Sequence, residues 1–416
     1  MKFLFIVQGE GRGHLTQAIA LAQRMAADGH SVCGALVGSA TGRGVPGFFS
    51  DAFPAEIRSF ASPALVYSRK TKALSLPKTL YALFRHFGRY VKSLSQIHAC
   101  IREQRPDVIV NFYDVLGGVH QALFRQKVPM VCIAHQYLML HKDFVHPKGQ
   151  RLNRALVNLN TRITAWGAEK KLALSFYPGT PDKDIHPVPP LLRQEVKSLV
   201  PEAGDYFLAY VTQPAMAVEI AAWQREFPEQ VIHCFSSGTD EVREVSQNLF
   251  FHPINGPKFL EMMRKCRGVI STAGFESVGE AMVLGKPVLM VPMKNHYEQT
   301  CNALDGQRSG AGIYRTSFAI SDFADFLADY TDCRPVFCPW EAQSAEHIVG
   351  HLTRGYAYRP GPALPLPVFA ARQAVRLRRI LRPSRFFYQQ GQQAGQYHGY
   401  AANEEGVDGF AMEKRL

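Results

Sequence analysis

The stretch from residue 268 to residue 303 constrains the fold of this chain more than any other part of it. A short apolar run is broken by the small residues at 271–274, and a helical pattern follows. Gly285 and Pro287 end that helix, because glycine accepts the left-handed cap and proline cannot continue a helix. A second apolar run occupies residues 288–291. Strand, tight turn, helix and strand in this order predict part of a parallel sheet with ligands at the carboxyl ends of its strands.

The small-residue turn has the chemistry of a phosphate site. A helix that opens directly after a tight turn leaves its first backbone N–H groups unpaired, and its dipole places partial positive charge there. Both features favour a bound anion. We therefore expect Thr272, Ala273 and Gly274 to contact a phosphate group.

The whole stretch resembles the donor-sugar motif of GT-B glycosyltransferases, especially the group that contains MurG and the UDP-glucuronosyltransferases. The residues that match in order and spacing are Gly274, Glu280, Gly285, Pro287, Pro292, Glu298, Gln299, Asn302 and Ala303. A pattern of that length is specific. The resemblance implies an α/β fold in which two Rossmann-like parallel-sheet domains face each other across a cleft.

The resemblance also implies roles for residues on the donor side. The small-residue turn would bind the diphosphate, Glu280 would bind the ribose hydroxyls, and Glu298 with Gln299 would hold the sugar. The remaining donor contacts expected, for the first phosphate loop and for the base, are Thr212, Ile254 and Asn255. The nucleotide sugar is a co-substrate, and no cofactor is implied beside it.

The N-terminus predicts a second unit of the same kind. Residues 3–7 form an apolar strand, a glycine-rich loop follows at residues 9–13, and a helical pattern comes next. The loop lacks the third glycine and the later acidic residue of a dinucleotide fingerprint, so a nicotinamide site is not expected. The family resemblance instead implies that His14 is the catalytic base and that Gly11 and Gly13 lie on the acceptor side.

A histidine base works with a carboxylate that fixes its tautomer and stabilises the imidazolium. Asp114, which follows the predicted strand at residues 106–111, is the expected partner, and Glu10 is the alternative. A further predicted strand ends in His135 and Gln136. These two residues resemble an acceptor-side loop of MurG-like enzymes, and we expect them to contact the acceptor.

Composition and charge divide the chain into parts. Its 416 residues, 46% hydrophobic and 20% charged, suffice for two globular cores. Residues 1–200 hold 26 Lys and Arg against 12 Asp and Glu, whereas residues 201–350 hold 11 against 19. With a proline-rich break between them, this predicts an acceptor-side domain at 1–187, a linker at 188–204, a donor domain at 205–352 and a basic C-terminal tail at 353–416.

The helical pattern at residues 76–97 is amphipathic. Its apolar and its basic positions, on opposite faces, are Leu80, Phe84, Phe87, Val91 and Leu94, and Arg85, Arg89 and Lys92. It is either a core helix with a solvated basic face or a helix that lies on a membrane surface. The arginine-rich segment at residues 372–385 also pairs cationic with apolar residues, and it either binds an anionic membrane or packs across the first domain.

The chain shows neither a signal peptide nor a membrane span. Its apolar start stops at Gln8, and no apolar run approaches the ~20 residues of a span. The eight cysteines are scattered and form no CxxC pair, which is typical of reduced thiols. We therefore expect a cytoplasmic protein that attaches peripherally to the inner face of the membrane through its basic segments.

These features predict an inverting glycosyltransferase that moves a sugar from a UDP-linked donor to a hydroxyl acceptor, which is lipid-linked or a cell-surface glycan precursor. Inversion is expected because retaining GT-B families carry two glutamates eight residues apart, whereas Glu276 and Glu280 are four apart. Asp182 and Asp184 form a D-x-D pair in a Pro/Gly loop, not after an apolar strand, so no metal is expected. Two alternatives stay open. One is a UDP-sugar 2-epimerase of the same fold, and the other, prompted by the charge, is a nucleic-acid-binding protein.

Overall fold

A computed structural model describes residues 1–40, 44–64, 66, 75–124, 127–211 and 214–356. Thr212 of the predicted phosphate loop and the arginine-rich segment at residues 372–385 lie outside the described residues. Both sheets of the fold belong to one compact unit.

The first sheet has seven parallel strands in the order β3-β2-β1-β4-β5-β6-β7. Apolar side chains of its central strand are buried on both faces: Phe3 and Phe5 belong to one core, and Leu4 and Ile6 to another. Burial on both faces is what a parallel sheet covered by helices requires. The strands are β1 Lys2–Gln8, β2 Ser31–Ser39, β3 Ile57–Ala61, β4 Val108–Phe112, β5 Met130–Ala134, β6 Lys170–Leu174 and β7 Ile185–Val188.

The second sheet also has seven strands, in the order β10-β11-β9-β8-β12-β13-β14. All neighbours are parallel except β10 and β11. The strands are β8 Phe207–Val211, β9 Ile232–Ser236, β10 Arg243–Ser246, β11 Leu249–His252, β12 Gly268–Ser271, β13 Val288–Met290 and β14 Gly312–Tyr314. The predicted fold class, α/β with two parallel-sheet halves, is confirmed.

Fourteen α-helices connect the described strands. They are α1 Gly13–Ala27, α2 Gly47–Ala52, α3 Leu76–Arg85, α4 Phe87–Gln104, α5 Val115–Phe124, α6 Arg151–Thr164, α7 Gln194–Lys197, α8 Pro214–Glu226, α9 Gly256–Lys265, α10 Phe275–Val283, α11 Tyr297–Arg308, α12 Ile320–Asp329, α13 Arg334–Glu341 and α14 Ser344–Thr353. A 3₁₀ helix covers His135–Leu140.

The proline-rich stretch between β7 and β8 is packed. It contains the short helix α7, and the side chains of Leu191, Leu192 and Val196 are buried in the core that lies between the two sheets. This packing fixes the position of Arg193, which stands among them. The predicted domain boundaries remain predictions, and the observed sheets end and begin at Val188 and Phe207.

The last two helices return the chain to the first sheet. Trp340 Nε1 of α13 donates to the carbonyl of Ser175 at 2.9 Å, and Ser344 Oγ of α14 donates to the carbonyl of Pro190 at 2.8 Å. Lys170 Nζ donates to the carbonyl of His351 at 3.4 Å. The chain therefore passes between the two sheets twice.

The amphipathic pattern at residues 76–97 forms two helices, α3 and α4, which meet at His86. No side chain of α3 is buried, and Leu80 and Phe84 are 56% and 86% exposed. The core-helix interpretation is therefore wrong for α3, whose apolar side chains face solvent. Among the residues described, no helix is both long and apolar enough to cross a membrane.

Candidate functional site

The carboxyl ends of the strands in both sheets border two adjoining cavities. We call the first the arginine cavity, after Arg12 and Arg193 in its wall, and the second the histidine cavity, after His14, His135 and His296. Their volumes are about 420 and 450 Å³. Four residues line both, so the cavities meet at Gly13, Gly274, Glu276 and Gln299.

Most of the residues predicted to bind substrates line one or both of these cavities. In the arginine cavity they are Gly13, Ile254, Asn255, Thr272, Gly274, Glu280 and Gln299. In the histidine cavity they are Gly11, Gly13, His14, His135, Gln136, Ala273, Gly274, Glu298 and Gln299. Asp114 lines neither.

The turn between β12 and α10 is held in an unusual conformation. Ala273 has a φ of 61°, in the left-handed region that a residue with a side chain rarely adopts. Asn302 Nδ2 donates to the Ala273 carbonyl at 3.1 Å, and both residues are buried. Gly274 then occupies the N-cap of α10 and supplies no side-chain cap for the first N–H groups of this helix. One of them, the backbone N–H of Glu276, donates to the carboxylate of its own residue.

Glu280 is paired with an arginine that the sequence did not suggest. Its carboxylate is 3% exposed and accepts two hydrogen bonds from Arg193, one from Nε at 2.6 Å and one from Nη2 at 2.8 Å. A bidentate pair of this kind has a fixed geometry. No local pattern indicated Arg193, because it lies in the stretch that composition marked as a linker.

Two guanidinium groups meet beside the start of α9. A Cβ added at Gly256 would lie 3.4 Å from Arg193 Nη1 and 3.8 Å from Arg12 Nη2. Arg12 also stacks over the ring of Phe48 at 3.8 Å. Asn255 caps α9 by accepting a hydrogen bond from the backbone N–H of Lys258. This wall of the arginine cavity is therefore rich in hydrogen-bond donors and positive charge.

His14 stands at the start of α1 in the histidine cavity. Its Nδ1 lies 3.3 Å from Gln17 Oε1, which can only accept, so Nδ1 carries the proton. Its Nε2 lies 3.5 Å from the amide nitrogen of Gln136 and keeps a lone pair. The ring stacks on Tyr113 at 5.5 Å. Burial lowers the pKa of His14 to about 4, so the imidazole is neutral near pH 7.

The predicted pairing of His14 with Asp114 is wrong. Asp114 is fully buried, and its Oδ1 accepts from the backbone N–H groups of Leu116 and Gly117 at the start of α5. Its other oxygen lies toward Ser62, which is also buried. Burial raises the pKa of Asp114 to about 6. The carboxylate caps a helix, and it is the residue before it, Tyr113, whose ring contacts His14.

Instead, His14 is connected to a carboxylate of the other sheet. Gln17 Nε2 donates to Glu276 Oε1, while Gln17 Oε1 accepts from His14. Burial raises the pKa of Glu276 to about 7. Sequence reasoning missed both residues as site residues. The helical spacing could have indicated Gln17, which stands one turn after His14, but nothing local links it to Glu276.

A second glutamate of the same sheet contacts Gln136. Glu298 Oε1 accepts from Gln136 Nε2 at 2.9 Å, and burial raises its pKa. Gln299 bonds within its own loop, since its Oε1 accepts from the backbone N–H of Met293 at 2.9 Å. His135 donates from Nδ1 to the carbonyl of Leu174 at 2.7 Å.

The ring of His135 stacks on Phe275 of the facing sheet, with centroids 4.1 Å apart. Its pKa is lowered by burial. Below it, Tyr177 Oη donates to Asp305 Oδ1 at 2.7 Å. These contacts make His135 part of the packed junction between the halves as well as part of the cavity wall.

Comparison with known proteins gives one family and several relatives. Residues 1–330 match the family model described as Glycosyl transferase family 1. The UDP-N-acetylglucosamine--N-acetylmuramyl-(pentapeptide) pyrophosphoryl-undecaprenol N-acetylglucosamine transferase of Sphingopyxis alaskensis is 27% identical over 347 residues, 77% of this chain and 79% of that protein.

Solved structures agree at the level of the fold. The glycotransferase of kitacinnamycin superposes with a TM-score of 0.62 at 14% identity, over 86% of this chain and 99% of that one. MurG of Acinetobacter baumannii superposes with a TM-score of 0.50 at 14% identity, over 85% of this chain and 100% of that one.

Proposed function

This chain belongs to glycosyl transferase family 1, and from that premise we propose that it transfers a sugar from a UDP-linked donor to a hydroxyl group of a lipid-linked acceptor, with inversion. It is a glycosyltransferase of the GT-B type. The donor, the acceptor and the stereochemistry are the proposed part.

The observation that carries the proposal is the meeting of two cavities of different chemistry at the turn before α10. One cavity has two guanidinium groups in its wall, and the other has a buried neutral imidazole. A nucleoside diphosphate needs the first, and deprotonation of a hydroxyl needs the second. The sugar that joins donor to acceptor would lie where the cavities meet.

On the donor side, we propose that the N–H groups that follow Gly274 and the guanidinium groups of Arg12 and Arg193 hold the diphosphate. Positive groups there would stabilise the charge that develops on the leaving UDP. Phosphate binding would draw Arg193 toward the anion, and Glu280 would then accept hydrogen bonds from the ribose hydroxyls. The nucleobase of the donor would pack near Ile254 and Asn255.

On the acceptor side, we propose His14 as the general base. Its Nε2 lone pair would take the proton of the acceptor hydroxyl as the new bond forms to the anomeric carbon and the bond to UDP breaks. One displacement of this kind inverts the anomeric centre. Glu298 and Gln299 would hold the sugar, and His135 with Gln136 would contact the acceptor. The reaction as proposed uses no metal ion.

The identity of the two substrates is supported by a relative. The Sphingopyxis alaskensis protein is named for transfer of N-acetylglucosamine from its UDP form to a pyrophosphoryl-undecaprenol acceptor. A UDP donor and an isoprenoid-linked acceptor of a cell-envelope glycan are therefore the first pair to test here. None of the three similar proteins reported above is described as an epimerase or a nucleic-acid-binding protein, and we favour glycosyl transfer over both.

A surface suited to a lipid-linked substrate lies on α3 and the start of α4. Leu80, Phe84 and Phe87 are exposed apolar side chains on one side, and the neighbouring Arg85 and Arg89 are exposed as well. Apolar and basic side chains together suit an anionic bilayer, to which each basic residue contributes about 1 kcal/mol. We propose that this helix rests on the inner face of the membrane.

The function is tested by incubating the protein with UDP-, TDP- and GDP-sugars and measuring release of nucleoside diphosphate, with and without a lipid extract. We expect release from a UDP-sugar that requires the extract. Product analysis would then show the opposite anomeric configuration from the donor. Release from none of the donors, or conversion of the donor sugar without transfer, would contradict the proposal.

The membrane surface is tested by sedimentation with anionic and neutral vesicles at low and high salt. We expect binding that needs anionic lipid, weakens with salt and is lost in the variant Leu80→Ser/Phe84→Ser. Val336→Ser is the control, because Val336 is 77% exposed and lies on α13, outside the α3 surface. Equal sedimentation of the wild type and the α3 variant would contradict a role for the α3 surface in membrane binding. If both still bind, truncation at Pro360 would test whether the basic tail is responsible.

A further inference from the structure

One chain of polar contacts crosses the cleft from the proposed base to a carboxylate that the family motif does not use. It begins at His14 Nδ1, passes through the amide of Gln17 and ends at Glu276. The first two residues belong to α1 of the first sheet, and Glu276 lies in the first turn of α10 in the second. Both ends of the Gln17 amide are therefore used, one as acceptor and one as donor.

We propose that Glu276 and Gln17 are positioning residues that hold His14 in the tautomer required of a base and stabilise the imidazolium that forms on it. This inference rests on the proposed function. The carboxylate can only accept while it is charged, so it fixes the NH₂ end of Gln17 toward itself and the oxygen of Gln17 toward His14. Nδ1 must then carry the proton, and Nε2 is left to accept one.

Close packing at Gly13 supports a specific contact between the two halves. A Cβ added at Gly13 would come within 2.5 Å of Glu276 Oε2. The residue before His14 must therefore lack a side chain if the carboxylate is to reach Gln17. The segment that carries His14 and the segment that carries Glu276 are therefore in direct contact at Gly13.

The charges around Glu276 fit this role. The carboxylates of Glu280 and Glu298 disfavour its charged form, and the nearby Arg193 is engaged by Glu280. Its hydrogen-bond partners, the Gln17 amide and its own backbone N–H, are uncharged. An imidazolium forming on His14 would add to the attraction that the Glu276 carboxylate already has for Arg193, and this added interaction strengthens as the proton arrives.

The proton balance is simple. The acceptor hydroxyl loses its proton to His14 Nε2, the proton on Nδ1 stays where it was, and Glu276 neither gains nor loses one. After UDP departs, the imidazolium returns the proton to solvent. Gln17 and Glu276 touch no reacting atom in this scheme, which is why we describe them as positioning residues.

The tautomer is measured without substrate. In the protein with ¹⁵N-labelled histidine, we expect the His14 nitrogen shifts of a neutral ring protonated at Nδ1. In Gln17→Leu we expect a mixture of both tautomers, whereas Glu276→Gln should keep the Nδ1–H form, because the new amide oxygen still accepts from Gln17. An Nε2–H ring in the wild type would overturn the inference.

Kinetics test the charge separately from the tautomer. We expect Glu276→Gln to lower kcat about 10-fold and Gln17→Leu about 100-fold, less than the ~10⁴-fold known for a directly bonded carboxylate, with little change in the donor KM. The matched control is Glu219→Gln, the same change at an exposed position of α8. Reduced kcat in that control, or unchanged kcat in Glu276→Gln, would overturn the proposed role.

The pH profile distinguishes positioning from a merely structural role. In the wild type the acid limb of kcat/KM should lie near pH 7, where Glu276 loses its proton, and in Glu276→Gln it should move down toward the pKa of His14 near 4. A limb that does not move would contradict the inference. If the wild type itself transfers no sugar, the proposed function fails instead, and the tautomer measurement still stands alone.

Discussion

The two cavities differ in charge although they share one turn. The arginine cavity is lined by two arginines, by apolar rings and by three glutamates, Glu195, Glu276 and Glu280. Among the described residues that line the histidine cavity there is no lysine or arginine, and its ionisable groups are carboxyls, imidazoles and the phenol of Tyr113. The protein therefore places the guanidinium groups in one cavity and the imidazoles in the other.

Helix α10 shows what this separation does to chemically identical side chains. Glu276 and Glu280 are one turn apart, yet Glu280 is paired with a guanidinium and Glu276 with an amide. An amide offsets little of the cost of removing a carboxylate from water, so burial raises the pKa of Glu276. The difference teaches that the partner of each glutamate, and not the helix that carries it, sets its chemistry.

The largest effect is expected from breaking the histidine cavity alone. His14→Ala should lower kcat by roughly 10²–10⁴, because a general base contributes about that much, and should leave donor affinity unchanged. Turnover and calorimetric donor titration measure the two quantities. His30→Ala is the control, because His30 precedes β2 and so lies at the amino ends of the strands, away from the cavities. Loss of donor binding with normal turnover of bound donor would make His14 a binding residue.

Breaking the arginine cavity should have the complementary effect. Glu280→Ala is expected to weaken binding of the UDP-sugar by about 1–3 kcal/mol, because buried ribose hydroxyls lose a charged acceptor, and to change kcat little. Calorimetry measures the affinity, with Glu219→Ala as the control for loss of a glutamate elsewhere in the same half. Unchanged affinity would remove Glu280 from the donor site.

The contrast between the two glutamates can be sharpened by following stability against pH. The folded-state pKa of Glu276, about 7, is above its ordinary value, so its contribution is most favourable at low pH and is lost as pH rises toward 7. Glu276→Gln should therefore be about 1–2 kcal/mol more stable than the wild type at pH 8 and no different near pH 4.

Glu280→Gln should behave in the opposite way and be less stable than the wild type at pH 8, because it leaves Arg193 without its charged partner. Denaturant unfolding of both variants at pH 4 and pH 8 makes the comparison. Two variants of equal stability at pH 8 would show that the two glutamates do not differ in the way that their partners indicate.

The smallest effect on the reaction rate is expected from chelation of divalent metal ions. If guanidinium groups and helix N–H groups alone compensate the leaving diphosphate, EDTA should not change the rate of UDP release. The control is addition of Mg²⁺ after EDTA. A rate that falls with EDTA and returns with Mg²⁺ would show that the arginine cavity does not suffice for the diphosphate.

Sequence reasoning reached the parts of this site that are written locally. The strand, turn and helix from β12 to α10 follow from apolar runs, small residues and a Gly/Pro stop, and each was predicted. The place of His14, at the end of a glycine loop, was implied by the resemblance to GT-B glycosyltransferases. In all these cases neighbouring residues in the chain are also neighbours in space.

The missed contacts join residues far apart in the chain. Arg193 reaches Glu280 only because Leu191, Leu192 and Val196 bury the stretch around it, and Gln17 meets Glu276 only because the sheets face each other. Asp114 was assigned by analogy of position, but the turn after β4 uses it as a helix cap. Local patterns carry no information about such partners.

The double passage of the chain between the two sheets limits how the halves can move. One connection runs through the buried stretch around α7, and the other through Trp340 and Ser344. Two halves joined at two points can rotate about the line through those points. They lack the additional rotations that a single connection would allow. Opening to admit substrates should therefore be a single rotation that parts Gln17 from Glu276 and Gln136 from Glu298 together. A chain truncated after residue 330 would lose the second connection. Its two halves could then rotate relative to each other about axes that the intact protein does not allow.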